Sequence, residues 1–302
     1  MLLPSSLTLL TEFIQRKRHA RIIERAERGH TRQWFLLFGH VAKDWLLQPQ
    51  PAMLRKVLPP ADRAWADPFL WRRGNEWFIF CEEWTKGNPH GHIAVMQISE
   101  DGELLSPPRP LLVKDHHLSY PFLFQHEEGL LMIPEGGAGG AIDMYQCEAF
   151  PAQWRKRMTL MQNVHFADAT LFQHQAKWWM LATMKRGLFA LNRDLFAFWA
   201  DTPFTDQWHP HPANPVVRGL RSARPAGRVF ELGGKLYRPS QNCLIRYGHS
   251  LRINEIVRLD PTHYQERLVT EVKPTWDGDV RANHHIDWHE GAVVMDAQRL
   301  LP

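Results

Sequence analysis

The sequence predicts an all-β fold, a five-bladed β-propeller with a short basic N-terminal helix, and three observations predict it. A hairpin-like unit recurs five times: ADPFLWRRGNEWFIFCEE at 66–83, SYPFLFQHEEGLLMIPEG at 119–136, ADATLFQHQAKWWMLATM at 167–184, ARPAGRVFELGGKLYRPSQ at 223–241 and ANHHIDWHEGAVVMDAQ at 282–298. The second residue of each unit falls at 67, 120, 168, 224 and 283, a step of about 50 residues, which suits four short strands per blade. Each unit also carries a polar or glycine turn between two apolar runs, as at Arg73-Gly74-Asn75 and Gly233-Gly234-Lys235. A β-sandwich would need these matches to be accidental. The small residue before each unit and the turn within it favour the propeller.

In chain order, residues 1–33 read as a basic helical arm and 34–302 as the propeller. The helix is expected over Thr11 to Arg32, with Phe13, Ile14, Ile22, Ile23 and Ala26 as its apolar residues. Between Arg16 and Arg32 seven positive charges face only Glu24 and Glu27, a net of +5, whereas the whole chain carries +4. The basic character therefore belongs to the arm. A solvated helix packed on the propeller is one reading; a helix resting on an anionic membrane surface through residues 11–32 is the other. Nucleic acid is not expected, because no basic stripe continues into the globular part. The charges follow the apolar Leu2–Ile14 stretch, the wrong order for a secretory signal.

Trp34 to Phe38 is the expected strand that completes the last blade and closes the ring. The Pro-rich residues 48–62 read as a connector, and Gly136 to Gly140 as a rim turn, since a phosphate-binding loop would need a lysine and a following helix. Cys81, Cys147 and Cys243 are odd in number and widely spaced, which predicts no disulfide framework and a reducing compartment. No apolar run reaches the length of a membrane span. A cytoplasmic protein is expected, peripheral at the inner membrane face if the arm docks there.

The geometry of a propeller brings the start of each first strand and the end of each second strand to one mouth. The starts supply Asp67, Tyr120, Asp168, Arg224, His284 and His285. The ends supply Glu82, Glu83, Glu135, Gln241 and Asp296. Two carboxylates across a funnel are the raw material of glycosyl chemistry, so Asp67, Asp168 and Glu135 are the candidate catalytic residues. Glu83, Tyr120, Gln241, Tyr247, His284 and His285 are candidates for sugar hydroxyls. Arg221 and Arg224 suit a phosphate or carboxylate, because a guanidinium donates in a planar fork and stays charged. His285, Asp287 and His289 alternate on one strand face, but hydrogen bonding is the expected role of the histidines. No metal and no cofactor is expected.

These residues resemble a known family. A-D-P-F at 66–69, L-S-Y-P-F at 118–122, I-P-E at 133–135, A-D-A-T-L-F at 167–172, N-P-V-V through R-S-A-R-P-A-G-R at 214–228, and R-P-S-Q through R-Y-G at 238–248 look like the N-terminal domain of glucosamine inositolphosphorylceramide transferases and its stand-alone bacterial relatives. More distantly the plan is similar to the five-bladed glycoside hydrolases of family 43 and the levansucrase–invertase group. That resemblance implies a base or nucleophile at Asp67, a second acid at Asp168, and a proton donor in blade four, where this chain has Arg224. The implied function is a transferase-like protein using a sugar nucleotide or sugar phosphate in surface polysaccharide or glycolipid assembly. The alternatives are a furanosidase-type glycoside hydrolase and a non-catalytic module that binds a glycan or sugar phosphate.

Overall fold

A computed structural model describes residues 6–185 and 191–302. Five antiparallel sheets form the blades of one propeller. Blade I holds Arg63–Arg73, Glu76–Thr85, His92–Ile98 and Arg109–Leu112. Blade II holds Ser119–His126, Gly129–Glu135, Ala141–Ala149 and Gln153–Gln162. Blade III runs from Phe166–His174 through Lys177–Met184 and Asp194–Ala200 to the short strands His209–Pro210 and Val217–Arg218. Blade IV holds Phe230–Leu232, Lys235–Asn242, Ser250–Asp260 and His263–Val272. The repeat therefore marks one hairpin per blade, as its spacing predicts.

Blade V joins the two ends of the chain. Its order is Arg55–Val57, Thr31–His40, Ala292–Leu301, then Val280–Ala282 and Ile286–His289 on the inner side. Thr31–His40 pairs with Ala292–Leu301 over its whole length, from Thr31 opposite Leu301 to His40 opposite Ala292. The closing strand is longer than the expected Trp34–Phe38 and begins ahead of residue 34. Part of the expected connector, Arg55–Val57, is an outer strand of this blade.

Strand alternation explains why the blades stack. Phe35 and Leu37 face blade IV with Val293 and Met295, against Tyr237, Leu251 and Ile253. Leu36 and Phe38 point the other way, with Val294, onto Trp65, Leu70, Trp77 and Ile79 of blade I. Further buried layers join blades I, II and III through Phe69, Phe80, Phe122, Leu131 and Met180, and blades III and IV through Trp179, Leu181 and Ile256. A period of two buries both faces of every central strand, which is why these strands read as apolar runs.

The helix is Ser6–Ala26, displaced toward the N-terminus from the expected 11–32. Gly29 takes φ +86°, and the chain turns there into the closing strand. Arg28 and Arg32 thus lie beyond the helix, because the strand's hydrogen bonds to Ala292–Leu301 outcompete further helix. Among the described residues, no helix is long and apolar enough to cross a membrane. Cys81, Cys147 and Cys243 are all free thiols.

Candidate active site

Blades I, II and III begin with the same irregularity. Between Ala66 and Phe69, Ser119 and Phe122, and Ala167 and Thr170, the first strand has one more residue than its partner. The extra residue bulges into the left-handed region: φ is +49° at Asp67, +45° at Tyr120 and +56° at Asp168. Such a bulge re-aims one side chain toward the axis, at a cost of about 1–3 kcal/mol per strained residue. Asp tolerates this conformation better than Tyr, whose side chain needs the surroundings to hold it.

Tyr120 has that support. Its hydroxyl lies 2.7 Å from Thr170 Oγ1 and donates to Gly227 O at 3.2 Å, while Gly227 N donates back to it at 3.1 Å. The ring also packs edge-on against Phe69 and His285. At Gly227 the chain leading into blade IV runs close against blade V: a Cβ there would sit 1.8 Å from Ile286 O. Fully buried Tyr120 therefore ties the blades together beneath the funnel instead of lining it, correcting the expectation that it binds sugar.

Asp67 sits 2 % exposed behind Ala66, Glu82 and His284, which line a cavity of about 470 Å³. Its backbone N–H donates to Asp296 Oδ2 at 3.0 Å. Its Oδ1 has no hydrogen-bond partner among the described residues; His285 Nδ1 at 3.6 Å and His284 Nε2 at 3.9 Å are too distant. Burial pushes the Asp67 carboxyl up to about 7, with Asp168 and Asp296 adding to the effect and His284 and Arg224 opposing it.

Beneath it, Asp296 accepts the backbone N–H groups of both His284 and His285 at 2.9 Å and pairs with His284 Nδ1 at 2.6 Å. Burial works against charge on the His284 ring, but Asp296 and Asp67 hold it up to about 9. Burial drives the neighbouring His285 ring down to about 3, so one histidine is charged and the next neutral. Asp67, His284 and Asp296 offer atoms within 4.8 Å of one another, a spacing a metal ion could bridge. The His284–Asp296 ion pair and three backbone donors already take up most of that capacity.

The second cluster surrounds Arg224. Its Nε donates to Asp168 Oδ2 at 2.7 Å, its Nη2 to Asp168 Oδ1 at 3.2 Å and Glu135 Oε2 at 3.0 Å, and its Nη1 to Asn192 at 2.9 Å. The fork is closed on carboxylates, so Arg224 is not the open phosphate clamp expected of it. Burial raises the Asp168 carboxyl and the guanidinium opposes this; the bidentate geometry is that of an ion pair. Gln241 is held between Asp168 Oδ2 at 3.4 Å and Pro225 O at 3.2 Å, so it positions Asp168 from behind the cavity.

Glu135, Arg224, Tyr247 and His284 line the same cavity, with Glu82, Trp34, Trp84, His117 and Arg32. Arg221 is exposed and outside that lining. Glu83 also departs from expectation. It points to the opposite face of its strand, accepting from Arg63 at 2.8 Å and Trp65 Nε1 at 3.1 Å, with His92 at 3.2 Å. Neighbours on a strand face opposite ways, so only one of the two adjacent glutamates can enter the funnel, and it is Glu82. Parity with Phe80, which faces blade II, was the signal available for that choice. Burial and then repulsion from Asp67 hold the Glu82 carboxyl well above the usual range, and His117 Nε2 lies 3.4 Å away. Two residues of the His285, Asp287 and His289 alternation have structural partners: Asp287 accepts from Leu70 N and pairs with Arg228, and His289 stacks on Trp71.

The sequence marks Trp34 only as part of the closing strand. It stacks on His284 at 4.1 Å, and Tyr247 meets the same ring edge-on at 5.3 Å. With Trp84 they give the cavity an aromatic wall of the sort that receives ring-shaped ligands.

The profile of a family described as glucosamine inositolphosphorylceramide transferase 1, N-terminal, matches residues 58–294. The chain is 32 % identical over 250 residues to glucosamine inositolphosphorylceramide transferase 1 of Oryza sativa subsp. japonica, covering 78 % of this chain and 33 % of that protein. It is 30 % identical over 231 residues to the Arabidopsis thaliana protein of the same name, covering 74 % and 30 %. It thus spans about a third of the length of the curated relatives it matches. Among solved structures, the catalytic domain of Coprinopsis cinerea GH62 α-L-arabinofuranosidase superposes with TM-score 0.58 at 10 % identity, covering 80 % of this chain and 93 % of that one. An α-L-arabinofuranosidase from Lactobacillus brevis superposes with TM-score 0.56 at 14 % identity, covering 74 % and 79 %. At such identities these likenesses establish the fold alone.

Proposed function

The chain belongs to the glucosamine inositolphosphorylceramide transferase 1 N-terminal family, and from that premise we propose that its funnel binds an activated, phosphate-bearing sugar and transfers the glycosyl group in surface polysaccharide or glycolipid assembly. The observation that carries this reading is Asp67: a buried carboxyl with an unpartnered oxygen, raised to about 7, directly behind an aromatic-walled cavity. A group with that poise can take a proton or attack a sugar carbon near neutral pH. The His284–Asp296 pair fixes its surroundings, and Glu135 and Asp168 orient the far wall through Arg224. Arg32, held at Nε by Glu27 but 51 % exposed at its side chain, is the wall cation with room for a phosphate. The three free thiols suit a reducing cytoplasm, and the proposed place of action is the inner membrane face.

Glu82 favours a second reading. A cavity carboxyl whose hold on its proton is strengthened by burial and by Asp67 suits a general acid, which a furanosidase-type hydrolase needs and a phosphate leaving group does not. One experiment separates the readings. Nucleotide sugars and neutral arabinofuranosides are screened for thermal stabilisation and for product, with wild type and Asp67→Asn. Binding of a nucleotide sugar, with product lost in Asp67→Asn but binding kept, supports the transferase. Hydrolysis of a neutral glycoside, lost in Glu82→Gln, moves the assignment to the hydrolase. Binding with no product from any substrate leaves a binding module.

A further inference from the structure

We infer that the outward face of the N-terminal helix docks on an anionic lipid bilayer and seats the funnel mouth beside the headgroups. The helix sorts its charges by face. Two acids of the arm turn inward: Glu12 pairs with Arg193 at 3.2 Å, and Glu27, just past the helix, pairs with Arg246 at 2.7 Å, while the exposed Glu24 lies beside Arg28 and His30, outside the cationic stripe. Arg18, Arg21 and Arg25 are exposed on the other side, together with Ile14 and Ile22, which are 57 % and 56 % exposed. The spacing from Ile14 through Lys17, Arg18, Arg21, Ile22 and Arg25 is that of one helical stripe. These side chains enclose a groove of about 470 Å³, roomy enough for a phosphate headgroup. Cations flanking two projecting isoleucines match a surface that is negative outside and apolar just beneath. A nucleic acid would not reward the isoleucines.

The pins give the docking a direction. Glu27 bonds both Arg246, the neighbour of cavity residue Tyr247, and Arg32, itself on the cavity wall. Arg193, which holds Glu12, adjoins Asn192, which holds Arg224. The helix is thus fixed along the rim over blades III and IV. Outside residues 16–32 the chain sums to about −1, so attraction is concentrated at this edge.

The test reads binding and not turnover, so it stands apart from the chemistry proposed for the funnel. Full-length protein is sedimented with phosphatidylcholine vesicles, with and without phosphatidylserine. Wild type is expected to bind only the anionic vesicles. Arg18→Gln/Arg21→Gln/Arg25→Gln should lower partitioning about a hundredfold, roughly fivefold per charge. The corresponding triple lysine variant should keep binding, and equal melting temperatures establish that the changes are local. Headgroup-nitroxide lipids should quench tryptophan emission, and Trp84→Phe should remove part of that quenching. Equal partitioning of the glutamine variant and wild type, or wild type ignoring anionic vesicles, overturns the docking surface. Displacement from vesicles by duplex DNA that binds more tightly assigns the stripe to nucleic acid and also overturns it. Unchanged quenching in Trp84→Phe overturns the seating of the mouth.

Discussion

Asp67 and Arg224 occupy equivalent places in two blades and meet opposite fates. Arg224 is surrounded by carboxylates, so its removal leaves Asp168 buried without a counter-charge. Arg224→Ala is expected to lower unfolding stability by about 3–5 kcal/mol, while Arg221→Ala, at an exposed site, should stay within about 0.5 kcal/mol. Denaturant titration of both variants checks this. Asp67 sets a pH dependence of activity under the proposed role: kcat/KM should rise as pH passes about 7, where the base loses its proton, and Asp67→Asn should abolish that limb with the turnover. His284 sets one of stability. Its folded value of about 9 lies above the ordinary 6.5, so the folded state holds an extra proton between them. Its contribution is therefore complete below about 6.5 and is lost as pH rises through about 9, on the order of 3 kcal/mol at most. Melting curves across that window should show the loss, and Asp296→Asn should flatten it.

The elements divide into those that make the ring and the one laid upon it. The closing strand Thr31–His40 belongs to the ring: Leu36 and Phe38 fill the layer against blade I, and Phe35 and Leu37 fill the layer against blade IV. Leu36→Ala should cost about 2–5 kcal/mol, as for a leucine in a layer with no free space, measured by equilibrium unfolding. The helix is held by ion pairs at Glu12 and Glu27, with Ile23 only half-buried. We propose that the arm is separable. A chain beginning at His30 is expected to fold with a lower melting temperature, whereas one beginning at Val41 lacks the closing strand and should not fold. Circular dichroism of the two shortened chains decides it, and failure of the longer one would make the helix part of the fold.

At the scale of the molecule, closure decides what each blade can do. A single blade exposes two apolar faces; five around an axis bury them all, and the pairing of Thr31–His40 with Ala292–Leu301 removes the open seam. Closure also brings Asp67 of the first blade onto Asp296 of the last, 229 residues away in the chain. The His284–Asp296 pair is local to blade V, but the partnerless Asp67 oxygen meets it only in the closed ring.

The five-blade plan was legible in the amino-acid sequence because the repeat, the turn residues and the apolar runs are local and recur. The same periodicity predicts that Asp67, Asp168, Arg224, Glu135 and His284 share one mouth, and Glu135, Arg224 and His284 line a common cavity. What it could not supply was which way each of two neighbouring side chains points and what stands opposite. Glu82 rather than Glu83 enters the funnel because a bulge and strand parity set the direction. Tyr120 becomes a tie between blades because Gly227 and Thr170, distant in the chain, arrive within reach of its hydroxyl. Arg224 lost its expected freedom for the same reason: Asp168 and Glu135 come from other blades, and opposite charges in a buried space pair with each other before any ligand arrives. Repeats and residue types are properties of the chain, whereas pairing between blades is a property of the closed ring, so the tertiary structure alone decided it.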